Sequence, residues 1–193
     1  SRSSLTLAGL CVALCLALGG GAFLRMPVNL APLKDLSHSL LASDGTVLEM
    51  RLNSHGYWRE PVRLGDIDPR LVQMLVAYED KRFYRHGGVD LLALGRAFRD
   101  VVTTGRITSG ASTITMQLAR LLHPELNTRS ISGKLQQMLL AWRLDHQLSK
   151  GEVLEAYFTL APYGGNLEGV IAASRAWFGK SPERLTLSEI GLL

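Results

Sequence analysis

The sequence predicts a mostly α-helical domain with a small β element at its start, preceded by one N-terminal membrane-spanning helix. Three observations lead there. The run from Ser3 to Leu24 carries no charged side chain and reaches the about 20 apolar residues that a helix needs to cross a bilayer. Two short stretches then flank Asp44-Gly45, a favoured hairpin turn pair. From Asp68 onward, apolar residues recur at helical spacing behind a series of helix-start signals.

Arg2 precedes the uncharged run and Arg25 follows it, so local charge does not orient it. A cleaved secretory signal ending near Gly19 to Ala22 is the alternative, but the run is long for a signal core of about 7–15 residues. Either reading sends the remainder across the membrane. Residues 1–25 are read as the anchor, 26–36, with Pro27 and Pro32, as a linker, and 37–193 as the folded body. Residues 39–42 and 46–50 form the hairpin, and Tyr57-Trp58-Arg59 adds an edge strand; no chemistry is evident in this platform.

The helices follow in order. Asp68-Pro69 supplies an N-cap and a first-turn proline for a helix carrying Leu71, Met74, Leu75 and Tyr78. Asp90 caps a second, which ends at Gly105. Ser112 and Thr113 open a third, which stops by Pro124. Ser132 opens a longer one through Leu135, Leu139 and Trp142. Ser149 and Glu152 form a capping box for the next. The chain turns at Gly164-Gly165, and residues 170–177 are helical again. Thr186 or Ser188 begins a last helix; the sequence stops inside it, as expected of a fragment of something longer.

Composition sets bounds. The 193 residues suit one ordinary domain plus an anchor, and 47% hydrophobic content allows a real core. Both cysteines, Cys11 and Cys15, fall in the apolar run, which leaves the body without a disulfide framework or a cysteine zinc site. A net charge of +4 is compatible with anionic partners. No basic patch interleaved with aromatics accompanies it, so nucleic acid is not an expected partner.

Two segments carry chemistry. In Glu79-Asp80-Lys81-Arg82-Phe83-Tyr84-Arg85-His86-Gly87-Gly88, Glu79 lies three residues after Val76 and seven after Val72, beside an apolar helix face. Partial desolvation there would raise its pKa and suit a general base. Taken alone, an acidic pair ending an amphipathic helix is the plainer reading. In the segment from Gly110 to Arg120, Ser112 and Thr113 stand at a helix start, where free backbone N–H groups favour an anion. Gln117 and Arg120, three residues apart, can reach a phosphate or sugar oxygen from one face.

Together these segments resemble the glycosyltransferase domain of class A penicillin-binding proteins and the related monofunctional peptidoglycan glycosyltransferases. The first family motif, Glu-Asp-x-x-Phe-x-x-His-x-Gly, is matched by Glu79, Asp80, Phe83, His86 and Gly88. The second is matched by Gly110, Ser112, Thr113, Thr115, Gln117 and Arg120. Lys150, Val153, Leu154 and Tyr157 are similar to the fourth, and Gly169, Ala172, Ala173, Trp177, Phe178, Gly179 and Lys180 to the fifth. The third departs: Lys134 is kept, but Gly133 stands for the family arginine and Gln137 for the second acidic residue. Arg129 is a candidate stand-in for the arginine, and Asp145 a poor one for the glutamate. Thr159 replaces the fourth motif's asparagine. The wording is most like the 1C branch of the class A proteins.

The resemblance implies a lysozyme-like glycosyltransferase fold that polymerises lipid II into β-1,4 glycan strands with inversion and release of polyprenyl pyrophosphate. It makes Glu79 the base, and Asp80, Ser112, Thr113, Gln117, Arg120, Lys134 and Gln137 the substrate-binding set. Phe83, His86 and Gly110 become structural members of the motifs. A divalent cation, magnesium or manganese, would help the pyrophosphate leave, although Gln137 weakens any protein ligand for it. Implied partners are lipid II, the growing lipid-linked glycan, the cytoplasmic membrane and other cell-wall synthesis proteins, with the body on the periplasmic side. Two alternatives stand beside this reading: a lysozyme-like glycan-cleaving enzyme, and a weakly active scaffold that binds lipid-linked precursor. No Ser-x-x-Lys or Lys-Thr-Gly transpeptidase motif occurs in these residues.

Overall fold

The computed structural model describes residues 20–44, 46–105, 112–127 and 130–193. Most of the expected membrane span, including Cys11 and Cys15, therefore lies outside the described residues, as do Gly45, Gly110 and Arg129. Residues 20–25 are helical. Among the described residues no helix is long and apolar enough to cross a membrane.

Strands β1 (His38–Leu41) and β2 (Val47–Arg51) pair antiparallel, with His38 opposite Arg51 and Leu40 opposite Glu49. Asp44 supports the turn by accepting from the Thr46 N–H at 2.9 Å. The third strand does not extend this hairpin. Instead β3 (Trp58–Arg59) pairs in parallel with β4 (Leu167–Glu168), a partner more than a hundred residues away. The cause is Arg59, a buried guanidinium that pairs with Glu168 and donates to the carbonyls of Pro32 and Asp35. Such a charge is tolerated inside only when paired and fully hydrogen-bonded.

Seven α-helices follow among the described residues: α1 (Pro69–Glu79), α2 (Leu91–Thr104), α3 (Ile114–Leu122), α4 (Ile131–Gln147), α5 (Lys150–Leu160), α6 (Val170–Phe178) and α7 (Leu187–Ile190). Their starts obey local chemistry. Asp68, Asp90 and Thr113 each accept a first-turn N–H, and Ser149 with Glu152, like Thr186 with Glu189, closes a capping box. Ser130 rather than Ser132 caps α4, because its hydroxyl reaches the Gly133 N–H at 3.0 Å. At α3 the cap is Thr113 alone.

Helix α3 is the centre of the body. Ile114, Thr115, Met116, Leu118, Ala119 and Leu122 are all buried, so the helix is enclosed on most sides and packs against both α4 and α5. Phe83, Leu144, Val153, Leu154, Phe158 and Val170 complete the core around it. Helix α2 contributes no buried residue, and Leu91, Leu92, Phe98 and Val102 lie on its exposed surface.

Residues 26–36, expected as a linker, are packed down instead. Val28, Leu30 and Leu33 rest against the core. Arg143 on α4 donates to the carbonyls of Met26 and Pro27 at 2.8 and 2.7 Å, and Gln147 reaches Leu24 and Met26 at 2.9 and 2.7 Å.

One glycine in the first motif is obligatory. Gly88 has φ +82°, and a Cβ there would lie 2.3 Å from the Ala141 carbonyl oxygen on α4. Gly88→Ala is expected to lower the unfolding free energy by at least about 2 kcal/mol, combining left-handed strain with overpacking. Urea denaturation against the parent chain measures it, and a shift below about 0.5 kcal/mol would show that α4 yields at this point.

Candidate active site

Glu79 is the last residue of α1, where a carboxylate meets the negative end of the helix dipole, and no basic residue lies in that last turn. This placement is locally unfavourable by about 0.3–1 kcal/mol. Local rules are broken where function requires it. The side chain is exposed, not tucked against the apolar face as the spacing predicts. Its Oε2 accepts from the Gln117 amide at 2.8 Å. Helix α1 ends at Glu79, and the carboxylate faces open space rather than Val72 and Val76.

That space is an open cleft of about 530 Å³ lined by Glu79, Gln117, Arg120, Asn127, Tyr157 and Tyr163 among others. A neighbouring cleft of about 330 Å³ has Met74, Tyr78, Phe158 and Leu193 on its walls, and another of about 270 Å³ has Lys81, Arg82, Arg96 and Ser112. Glu79 lines all three. One carboxylate thus stands where a polar cleft, an apolar recess and a recess lined by charges of both signs meet.

Asp80 faces the other way. It is 6% exposed, and its oxygens hold the His86 Nε2 at 2.9 and 3.0 Å and the Ile114 N–H at 3.1 Å. The anion attracted to the start of α3 is therefore a side chain of the protein itself. Thr113 is equally committed, donating to the Gly88 carbonyl at 2.6 Å while accepting from the Met116 N–H. Both residues, expected on substrate, instead fasten the first motif to the second. Phe83 is fully buried, and Lys150 on α5 holds the same loop, donating to the His86 carbonyl at 2.7 Å and to Asp145. Asp145 is thereby engaged in an ion pair and does not take the place of the family glutamate.

The two cationic members are placed differently. Lys134 donates to Ser112 at 2.5 Å, and burial, with Arg120 nearby, pushes its ammonium below the ordinary lysine range. Arg120 lines the main cleft and has no ion-pair partner among the described residues. Gln137, by contrast, is 2% exposed, and its amide donates to the Leu126 carbonyl at 2.6 Å. It is a tie between α4 and the turn after α3, not a residue presented to substrate. Among the described residues no group of three or more His, Cys, Asp or Glu side chains is placed to hold a metal ion. With Lys134, Arg120 and a neutral Gln137, this donor set does not fit a divalent cation held by the protein.

Tyr157, Tyr163 and Asn127 also line the cleft. Tyr157 matches the fourth motif, but its part in the site was not evident from spacing. Its signal was a hydroxyl tip on an otherwise apolar helix face. Asn127 gave none, since it follows a single 3-10 turn, Pro124–Leu126.

Residues 44–193 match the profile of the family described as transglycosylase. The chain belongs to the transglycosylase family. Among similar proteins, penicillin-binding protein 1C of Escherichia coli K12 is 44% identical over 154 residues, covering 80% of this chain and 20% of that protein. Penicillin-binding protein 1A of the same organism is 35% identical over 193 residues, covering 93% of this chain and 22% of that protein. Penicillin-binding protein 1A of Neisseria gonorrhoeae is 36% identical over 155 residues, covering 80% and 19%. This transglycosylase chain spans about a fifth of the length of these relatives.

The placement of Gln137 reverses a simple expectation, namely that Gln137→Glu would preserve or raise activity. A glutamate there would set an acceptor against the Leu126 carbonyl, where only a protonated acid can bond, so its folded-state pKa would rise. Stability is then greatest below the ordinary glutamate range and falls as pH rises above it. We expect Gln137→Glu to lower Tm more at pH 8 than at pH 5; equal Tm loss at both would show that the carboxylate turns away from Leu126.

Proposed function

We propose that the chain is a peptidoglycan glycosyltransferase that joins lipid-linked disaccharides into β-1,4 glycan with inversion. The observation that carries this reading is the position of Glu79, an exposed carboxylate held by Gln117 where three clefts meet, with Arg120 and Lys134 on the side of α3 and α4. The family description, transglycosylase, supports the same reaction class.

Glu79 takes the proton from the acceptor 4-hydroxyl as that oxygen attacks the donor anomeric carbon. The bond from that carbon to the pyrophosphate oxygen breaks, and the pyrophosphate leaves with the electron pair. Arg120 and Lys134 meet the charge that develops on it, as fixed cations do best in a partly dry site. Ser112 orients Lys134, and Gln117 orients Glu79. Asp80 and Thr113 act indirectly by fixing the first motif to α3. The uncharged run from Ser3 to Leu24 supports attachment to the cytoplasmic membrane with the body on the periplasmic side. There it would meet lipid II, the growing lipid-linked glycan and other cell-wall synthesis proteins.

Detergent-solubilised chain incubated with labelled lipid-linked disaccharide-peptide and a divalent cation is expected to give sized glycan polymer. Glu79→Gln should cut the rate by about 10²–10⁴ while precursor binding stays within a few-fold, since the amide keeps the shape but accepts no proton. Polymer from that variant at near-parent rate would remove Glu79 as the base. Precursor binding without polymer from the parent would favour a scaffold role.

A further inference from the structure

We infer that Tyr157 is a positioning residue that sets the orientation of Glu79 through the side-chain amide of Gln117. The inference rests on the reading of Glu79 as the base. Three side chains from three helices form one chain of hydrogen bonds. The Tyr157 hydroxyl on α5 donates to Gln117 Oε1 at 3.2 Å, and Gln117 Nε2 on α3 donates to Glu79 Oε2 at the end of α1 at 2.8 Å.

The polarity of this chain follows from donor inventories. An ionised carboxylate only accepts, so the amide must turn its NH₂ toward Glu79. The amide oxygen then faces Tyr157, which must donate. Burial, reinforced by the charge of Glu79 against the opposing pull of Arg120, pushes the Tyr157 phenol above its ordinary range and keeps its proton in place. A donated proton on the amide oxygen strengthens the N–H on the other side. The consequence is a Glu79 with Oε2 occupied and Oε1 left for the acceptor hydroxyl.

Without the Tyr157 hydroxyl the amide oxygen is free to turn toward a protonated Glu79 and accept its proton. The protonated acid gains a partner that Tyr157 holds away from it in the parent, which favours the protonated form. Other charged groups face Glu79 from the surrounding elements: Arg120 on the main cleft, and Lys81, Arg82, Asp90 and Arg96 across the charged recess. Asp80 adjoins it in sequence. All of these persist in a Tyr157 variant, so a shift in titration reports the amide.

The experiment is Tyr157→Phe, alone and in a Gln117→Ala background, assayed by polymerisation rate from pH 5 to pH 9 with Glu79→Gln as control. Tyr157→Phe alone should lower kcat about tenfold, leave KM within about twofold and move the acid limb of the kcat profile up by about one pH unit. In the Gln117→Ala background the same change should alter kcat by less than about twofold, because the residue through which it acts is gone. An unmoved acid limb, or an equal loss in both backgrounds, overturns the inference. If Glu79→Gln itself retains parent activity, the base assignment falls first and this inference with it; if Glu79→Gln is inactive, those outcomes count against Tyr157 alone.

Discussion

Asp80 lies one residue beyond Glu79, and its buried carboxylate takes both the imidazole of His86 and the first N–H of α3. Much of the site depends on that arrangement. It docks the end of α1 onto the start of the central helix and so sets how far Glu79 stands from Gln117 and Arg120. Thr113 doubles the joint by bonding the Gly88 carbonyl. The approach of Gly88 to Ala141 is close enough that no side chain fits. The start of α3 is thus used for construction, and the cationic side chains Arg120 and Lys134 stand further along, on α3 and α4.

The resulting site separates two electrostatic tasks. On one side a carboxylate is held by one neutral donor, an amide that stands between it and a phenol. On the other, Arg120 and Lys134 supply positive charge, and burial of Lys134 weakens its hold on its own proton. Among the described residues Glu79 forms no ion pair with either of them and is bonded to Gln117 instead. Gln117 is central here: it satisfies Glu79 without neutralising it.

Local signals in the sequence were enough for most helix starts, because caps are chemistry between residues two or three apart. Asp68, Asp90, Ser149 and Thr186 all do what their positions predict. Ser130 was missed for Ser132 because both hydroxyls fit the spacing, and only the path of the chain decides between them. The parallel pairing of β3 with β4 was not legible, since two-residue strands carry no periodicity and their register depends on the distant contact of Arg59 with Glu168. In the candidate site, the motifs point to Glu79 and Arg120, which line the cleft, and to Lys134, which is bonded to Ser112. They do not separate residues that touch the cleft from residues that build it. Asp80, Thr113 and Gln137 look polar and available in sequence, and each is consumed by a backbone partner brought near only by folding.

The strap at residues 26–36 bears on where this domain begins as a physical unit. The sequence profile starts at residue 44 and composition places the body at 37, but the hydrogen bonds of Arg143 and Gln147 run to Leu24, Met26 and Pro27. Cutting at either later boundary would strip acceptors from both side chains and uncover the apolar contacts of Val28, Leu30 and Leu33. The Arg59 guanidinium would also lose the Pro32 and Asp35 carbonyls at either cut. A free-standing version of the domain therefore has its natural edge upstream of Met26, and residues 26–36 belong to the fold's architecture rather than to a tether.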